Sequence, residues 1–219
     1  MHDQAINKLI SIQENIKNLN TQNDIPAQIV CVSKTFPLSK LLPLVNFGHY
    51  HFGENKVQEA EEKWSELKKS NENLKLHMVG RLQTNKVKKA VQIFDFIHSV
   101  DSQKLADNLK KREEEINRKL SYFIQINLGN ESQKGGVKRE EAESFVIYCK
   151  NELKINVIGL MAIPPNDGNE EKYFKSLYEL NNSLGLKELS MGMSSDYLKA
   201  LKFNSTFLRI GSAIFGARN

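Results

Sequence analysis

Apolar residues recur along this chain in two alternating rhythms. Short runs rich in Val, Ile, Leu and Phe are separated by longer stretches in which apolar positions return every three or four residues. The first rhythm suits strands covered on both faces, as in a parallel sheet; the second suits amphipathic helices. Residues 3–20 place Ile6, Leu9, Ile10, Ile12, Ile16 and Leu19 at helical spacing, so a helix is expected before the first strand. That strand, 29–34, is Ile-Val-Cys-Val-Ser-Lys, and a helix over Leu38–Asn46 follows it, closed by Gly48. Further strands are predicted at 49–52, 74–79, 94–100, Ser121–Asn127, 155–160, 188–190 and 206–210. Helical patterns fill 57–69, the stretch from Asp101-Ser102 to Arg118, 139–151, 169–184 and 196–203, with a basic helix starting near Thr84. Residues 128–137 read as a polar, glycine-containing loop. About eight strands, nearly all followed by a helix, predict a (β/α)8 TIM barrel spanning 1–219 as one domain. The extra N-terminal helix is expected to cover the barrel wall or its lower rim.

Composition adds limits to this picture. The 219 residues are 40% apolar and 26% charged, ordinary for a globular protein, and no apolar run approaches the ~20 residues of a membrane span. The N-terminus lacks the uninterrupted apolar core of a signal peptide. Cys31 and Cys149 fit no metal spacing and suggest a reducing compartment, so a cytoplasmic protein is expected. The net charge of +5 is modest. The basic stretch 81–89, with Arg81, Lys86, Lys88 and Lys89, is not interleaved with aromatics and reads as a solvated helix face, which makes nucleic acid an unfavoured partner. His2, His49, His51, His77 and His98 are scattered without metal-ligand spacing, and no dinucleotide, Walker or nucleophile-elbow motif occurs.

Chemistry in such a barrel belongs at the carboxyl ends of the strands. Those positions hold Lys34, Asn55, Arg81 with Gln83, Asn127, Met161, Ser194 with Ser195, and Arg209 with Gly211 and Ser212. Alternation puts Val30, Val32 and Lys34 on one face; if the valines face the barrel interior, Lys34 stands at its mouth. Partial desolvation there favours the neutral amine, able to attack a carbonyl, although a lysine leaving the strand for solvent fits the same pattern. Gly192-Met193-Ser194-Ser195 and Gly211-Ser212 offer hydroxyls and exposed amides after the last two strands, where barrels often hold phosphate.

Several segments, in order, resemble the pyridoxal 5′-phosphate homeostasis protein family, also called the proline synthase co-transcribed homologue family. They are Val32-Ser33-Lys34-Thr35, Phe52-Gly53-Glu54-Asn55 with Val57-Gln58-Glu59, His77-Met78-Val79-Gly80-Arg81-Leu82-Gln83-Thr84-Asn85-Lys86, and Gly159-Leu160-Met161-Ala162-Ile163-Pro164. Leu189-Ser190-Met191-Gly192-Met193-Ser194-Ser195-Asp196 and Arg209-Ile210-Gly211-Ser212-Ala213-Ile214-Phe215-Gly216 complete the set. The resemblance implies a fold-type III barrel like the barrel half of alanine racemase, binding pyridoxal 5′-phosphate (PLP) as a Schiff base on Lys34. It implies Arg209 at the pyridine nitrogen, Ser194, Ser195, Gly211 and Ser212 at the phosphate, and Asn55, His77 and Met161 lining the pocket. Two positions depart from the usual pattern. Asn204 stands where glycine is common, and Lys56 replaces an aromatic.

An arginine at the ring nitrogen keeps that nitrogen unprotonated and weakens the ring as an electron sink. Racemase-like enzymes also take a second acid/base from another domain, and this chain ends a few residues past Ser212. The expectation is therefore a monomeric protein that stores, buffers or delivers PLP, with PLP-dependent apo-enzymes as acceptors. The runner-up is a single-domain racemase or lyase using Lys34 and a pocket residue such as His77. A third reading is a nucleic-acid adaptor using 81–89.

Overall fold

Helix α1 (Gln4–Leu19) buries Ala5, Ile6, Leu9, Ile12 and Ile16, the stripe its apolar spacing presents. After it come β1 (Gln28–Val32), α2 (Leu38–Asn46), β2 (His51–Glu54), α3 (Val57–Ser70), β3 (Lys75–Met78), α4 (Val87–Ile93), β4 (Phe96–Val100) and α5 (Gln103–Ile116). The second half runs β5 (Ser121–Asn127), β6 (Val137–Lys138), α6 (Ala142–Ile147), β7 (Val157–Met161), α7 (Glu170–Ser183), β8 (Glu188–Met193), α8 (Tyr197–Leu201), β9 (Phe207–Ile210) and α9 (Ser212–Phe215). This computed structural model describes residues 3–19, 27–129, 131 and 135–216. His2, Asn20, and residues 130 and 132–134 of the expected loop lie outside the described residues.

The strands pair in parallel in the order β4-β3-β2-β1-β9-β8-β7-β5, and β4 pairs with β5 to close the ring. Eight parallel strands closed in this way, with helices outside, form a TIM barrel. The two-residue β6 adds to the edge of β5 without entering the ring.

Alternation sorts each strand's side chains. Val30, Val32, Phe123, Met161 and Phe207 meet inside the barrel with Val79, whereas Ile29, Cys31, Leu208 and Ile210 join the larger core between strands and helices. Helix α1 packs against α2, α8 and α9, covering the wall between the helices that follow the first strand and those that flank the last. Its Asn15 Nδ2 donates to the Tyr197 hydroxyl across that seam at 3.1 Å.

Several boundaries differ from the sequence reading, and three of the differences have a clear local reason. The second strand begins at His51, not at 49, because the N–H of His49 is already committed. It bonds Leu44 O at 2.9 Å while Gly48 N bonds Val45 O at 3.0 Å, with Gly48 at φ +95°, and this pair of bonds closes α2. The 128–137 stretch ends in β6, whose residues bond β5 rather than solvent. The helix expected over 139–151 is instead a 3₁₀ turn (Arg139–Glu141), α6, and a π-type turn over Tyr148–Glu152 that leaves Cys149 buried.

Candidate functional site

One cavity of about 540 Å³ opens at the carboxyl ends of the strands. Lys34 enters it after β1, Asn55 after β2, Ser194 and Ser195 after β8, Arg209 from β9, and Gly211 with Ser212 after β9. Seven of the nine residues singled out in the sequence thus share one cavity. The other two, His77 and Met161, are completely buried in the barrel interior and are not among its lining residues.

Lys34, itself partly buried, sits in a turn whose two flanking residues are tied down. Ser33 N donates to Gly53 O at 2.9 Å, and its hydroxyl donates to Glu54 Oε1 at 2.7 Å. Thr35 has φ +69°, a left-handed conformation that costs a β-branched residue about 1–3 kcal/mol, and its N–H donates to Glu59 Oε1. Lys63 Nζ joins the two carboxylates, donating to Glu54 Oε1, Glu59 Oε1 and Ser33 O, each at 2.9 Å. Trp64 Nε1 adds a further bond to Glu54 Oε1 at 2.9 Å. Burial pushes the Glu59 carboxyl up, but the bonds from Lys63 and the Thr35 amide outweigh it and hold it below its ordinary range. The motif Phe-Gly-Glu-Asn followed by Val-Gln-Glu on α3 therefore serves to fix the lysine turn on β1.

On the opposite side, Gly211 N and Ala213 N both donate to Ser194 Oγ, at 3.2 and 3.1 Å. A hydroxyl that accepts two amides keeps its own proton for an acceptor on the cavity side. The loop that carries Ser194 needs Gly192: its φ is +88°, and a Cβ there would stand 2.7 Å from the Ala200 Cβ. Gly80 is required similarly, since its Cβ would stand 2.5 Å from Asn55 O and displace that residue from the cavity wall.

Arg209 is 4% exposed and, among the described residues, has no carboxylate hydrogen-bonded to it. Nη1 donates to Ser190 O at 2.7 Å and Ser190 Oγ at 2.6 Å, and Nη2 donates to Ala162 O at 2.9 Å. Burial lowers its pKa to about 10, and it remains a cation at neutral pH. A guanidinium has five N–H groups, so Nε–H and one Nη2–H remain uncommitted among the described residues, on a side chain that lines the cavity.

Val32, Val79, Ile163 and Met193 supply apolar walls that sequence reasoning did not single out. The signal for Val32 was present, because it shares the interior face of β1 with Val30. Met193 closes β8, and Val79 and Ile163 lie just past β3 and β7, strand ends whose registers were not fixed by pattern alone.

The alanine racemase N-terminal domain family model matches residues 8–219. Pyridoxal phosphate homeostasis proteins of Haemophilus influenzae and Aquifex aeolicus are 37% and 39% identical, covering 94% and 88% of this chain and 90% and 87% of the relatives. The chain belongs to the pyridoxal phosphate homeostasis protein family. A solved structure of PipY from Synechococcus elongatus with PLP bound superposes with a TM-score of 0.81 at 32% identity, covering 94% of this chain and 100% of that one. Alanine racemase from Clostridium difficile, at 18% identity and a TM-score of 0.73, shares the fold over 57% of its own length. Among the described residues, no helix is long and apolar enough to cross a membrane.

Proposed function

We propose that the chain binds PLP in this cavity and buffers or delivers it, with Lys34 as the attachment point. The observation that carries the reading is the convergence, in one cavity, of a clamped lysine, an arginine with uncommitted N–H groups and a serine hydroxyl backed by two backbone amides. Each part meets a different need of the cofactor. Lys34 offers an amine to the aldehyde, and Arg209 offers a donor to the ring nitrogen. Ser194, Ser195, Gly211 and Ser212 would receive the phosphate, while Val32, Val79, Ile163 and Met193 suit the faces of a flat ring. Asn55 borders the same wall, and His77 and Met161 support the site from beneath. Bound PLP supplies an electrophilic aldehyde and an electron-accepting ring.

Storage is favoured over turnover by the lining itself. Among the described lining residues, Lys34 and Arg209 are the ionisable groups, and an arginine is not a general base at neutral pH. A two-base racemisation would need a second proton acceptor that this set does not contain. Delivery would pass the cofactor to PLP-dependent apo-enzymes in the cytosol, with the chain acting as a monomer.

Equilibrium dialysis of PLP tests this. Replacing Ser194 and Ser195 together by alanine should weaken retention ten- to hundredfold per lost charge-assisted hydrogen bond, about 1.5–3 kcal/mol each, without comparable loss of stability. An unchanged dissociation constant would place the phosphate elsewhere.

A further inference from the structure

Beneath the cavity, three histidines cross the barrel interior in a continuous hydrogen-bonded row. His51 Nδ1 lies 2.9 Å from His77 Nε2, His77 Nδ1 lies 2.9 Å from His98 Nε2, and His98 Nδ1 lies 2.7 Å from Ser190 Oγ. Ser190 Oγ in turn accepts from Arg209 Nη1 at 2.6 Å. Strand register explains the geometry. His51 pairs with Lys75 and His77 with Phe96, so each next histidine stands two residues higher, about 6.6 Å along the strand. The row climbs from the first residue of β2 to the floor of the cavity. Its rings are held between aromatics: His77 stacks on Phe96 at 4.3 Å between centroids, and His98 on Phe123 at 4.4 Å.

The direction of every bond in the row follows from its last member. Arginine can only donate, so Ser190 Oγ accepts from Arg209, and among the described residues His98 Nδ1 is the acceptor within hydrogen-bond reach of the buried Ser190 hydroxyl proton. His98 then carries its proton on Nε2 and donates to His77 Nδ1. By the same step His77 carries its proton on Nε2 and donates to His51 Nδ1. Burial holds His77 and His98 neutral, and lowers His51 to about 4, where Lys75 adds to the effect of burial and Asp95 opposes it. A buried polar row of this kind is costlier than an apolar core unless every member is satisfied. Here each link satisfies the next, and the row ends on the buried Arg209 cation.

We propose that His51, His77 and His98 are positioning residues, a one-directional hydrogen-bonded row that takes up the Ser190 hydroxyl proton and so keeps Ser190 Oγ turned to accept from Arg209 at the cavity floor. The part that concerns the cofactor rests on the PLP reading above; the row itself does not.

Nitrogen-15 spectra of histidine-labelled protein without added PLP, near neutral pH, test the row first. His77 and His98 should both be neutral with the proton on Nε2. Because the direction is imposed from the arginine end, Ser190→Ala should give His98 a mixture of tautomers, whereas His51→Phe should leave His98 unchanged. A proton on Nδ1 of either ring in the wild type overturns the row, as does a His98 tautomer that follows His51→Phe and not Ser190→Ala. The second arm uses PLP labelled with nitrogen-15 in the ring. His77→Phe keeps an aromatic against Phe96 but cuts the row, and it should weaken PLP retention about fivefold, the worth of one hydrogen bond, and move the ring-nitrogen resonance. An unchanged dissociation constant with an unmoved resonance overturns the positioning role. If His77→Phe does not fold, Ser190→Ala carries the same measurement. Wild-type protein that shows the expected tautomers but takes up no PLP would sink the functional reading and leave the row standing.

Discussion

Arg209 shows how much one side chain can decide. It is buried and, among the described residues, without an ion-pair partner, a state that proteins accept only where hydrogen bonds compensate the lost hydration. Its neighbours are carbonyls and a hydroxyl, and the PLP reading adds a neutral ring nitrogen. Arg209→Glu should let that nitrogen gain a proton and raise slow side reactions with amino acids above the wild-type level. Nitrogen-15 shifts of bound PLP check it, and a ring-protonation state identical to wild type would rule out the contact. Lys63 is the second decisive residue. Its ammonium compensates the completely buried Glu54 carboxylate, so Lys63→Met should destabilise the protein by about 3–5 kcal/mol, with Glu54→Gln added to it recovering much of the loss in urea unfolding. A single variant as stable as wild type would contradict the clamp around Lys34.

At the scale of elements, the ends of helices carry much of the specification. Helix α8 closes on Asn204 at φ +56°, with Asn204 N bonded to Leu201 O and Ser205 N to Ala200 O. A residue tolerant of the left-handed region is needed there, which is why asparagine can stand where glycine is common. Asn204→Gly should change stability by less than about 0.5 kcal/mol, while Asn204→Val should cost on the order of 1–2 kcal/mol in thermal unfolding. Equal effects of the two would mean that φ is not what matters. The same elements show what was legible in the sequence. The two faces of β1 could be read from alternation, and Val30 and Val32 do turn into the barrel, which puts Lys34 at its mouth. Strand-end chemistry located Lys34, Ser194 and Gly211 because function in a barrel collects there. What pattern could not give was pairing across strands. The row from His51 to Ser190 depends on barrel tilt and register, and the Lys63 clamp joins α3 to β1; neither leaves a periodic trace. In the sequence the histidines therefore read as scattered, with His77 alone set apart as a pocket residue.

For the whole molecule, the buried histidines couple stability to pH. Burial lowers the pKa values of His49, His51, His77 and His98 below the ordinary 6.5 of an unfolded chain, with His49 and His51 near 4. Above about pH 6.5 both folded and unfolded states are neutral at these rings, and they impose no penalty. As the pH falls from there toward 4, the unfolded chain takes up protons that the folded barrel refuses, so stability should decline. Lys75 and Asp95 face His51 with opposite effects, and Arg209 faces His98 and reinforces its neutrality. Urea midpoints measured between about pH 7.5 and 5 check this, and a flat profile would contradict it.

The barrel thus presents a lysine, an arginine and an amide-lined turn to one cavity, each held by a separate set of bonds. The central claim is that Lys34 is where PLP attaches. Incubation with PLP, borohydride reduction and peptide mapping test it directly. The account predicts a single major pyridoxyl adduct on Lys34, lost in Lys34→Ala; a major adduct on another lysine, or unchanged labelling in that variant, would contradict it.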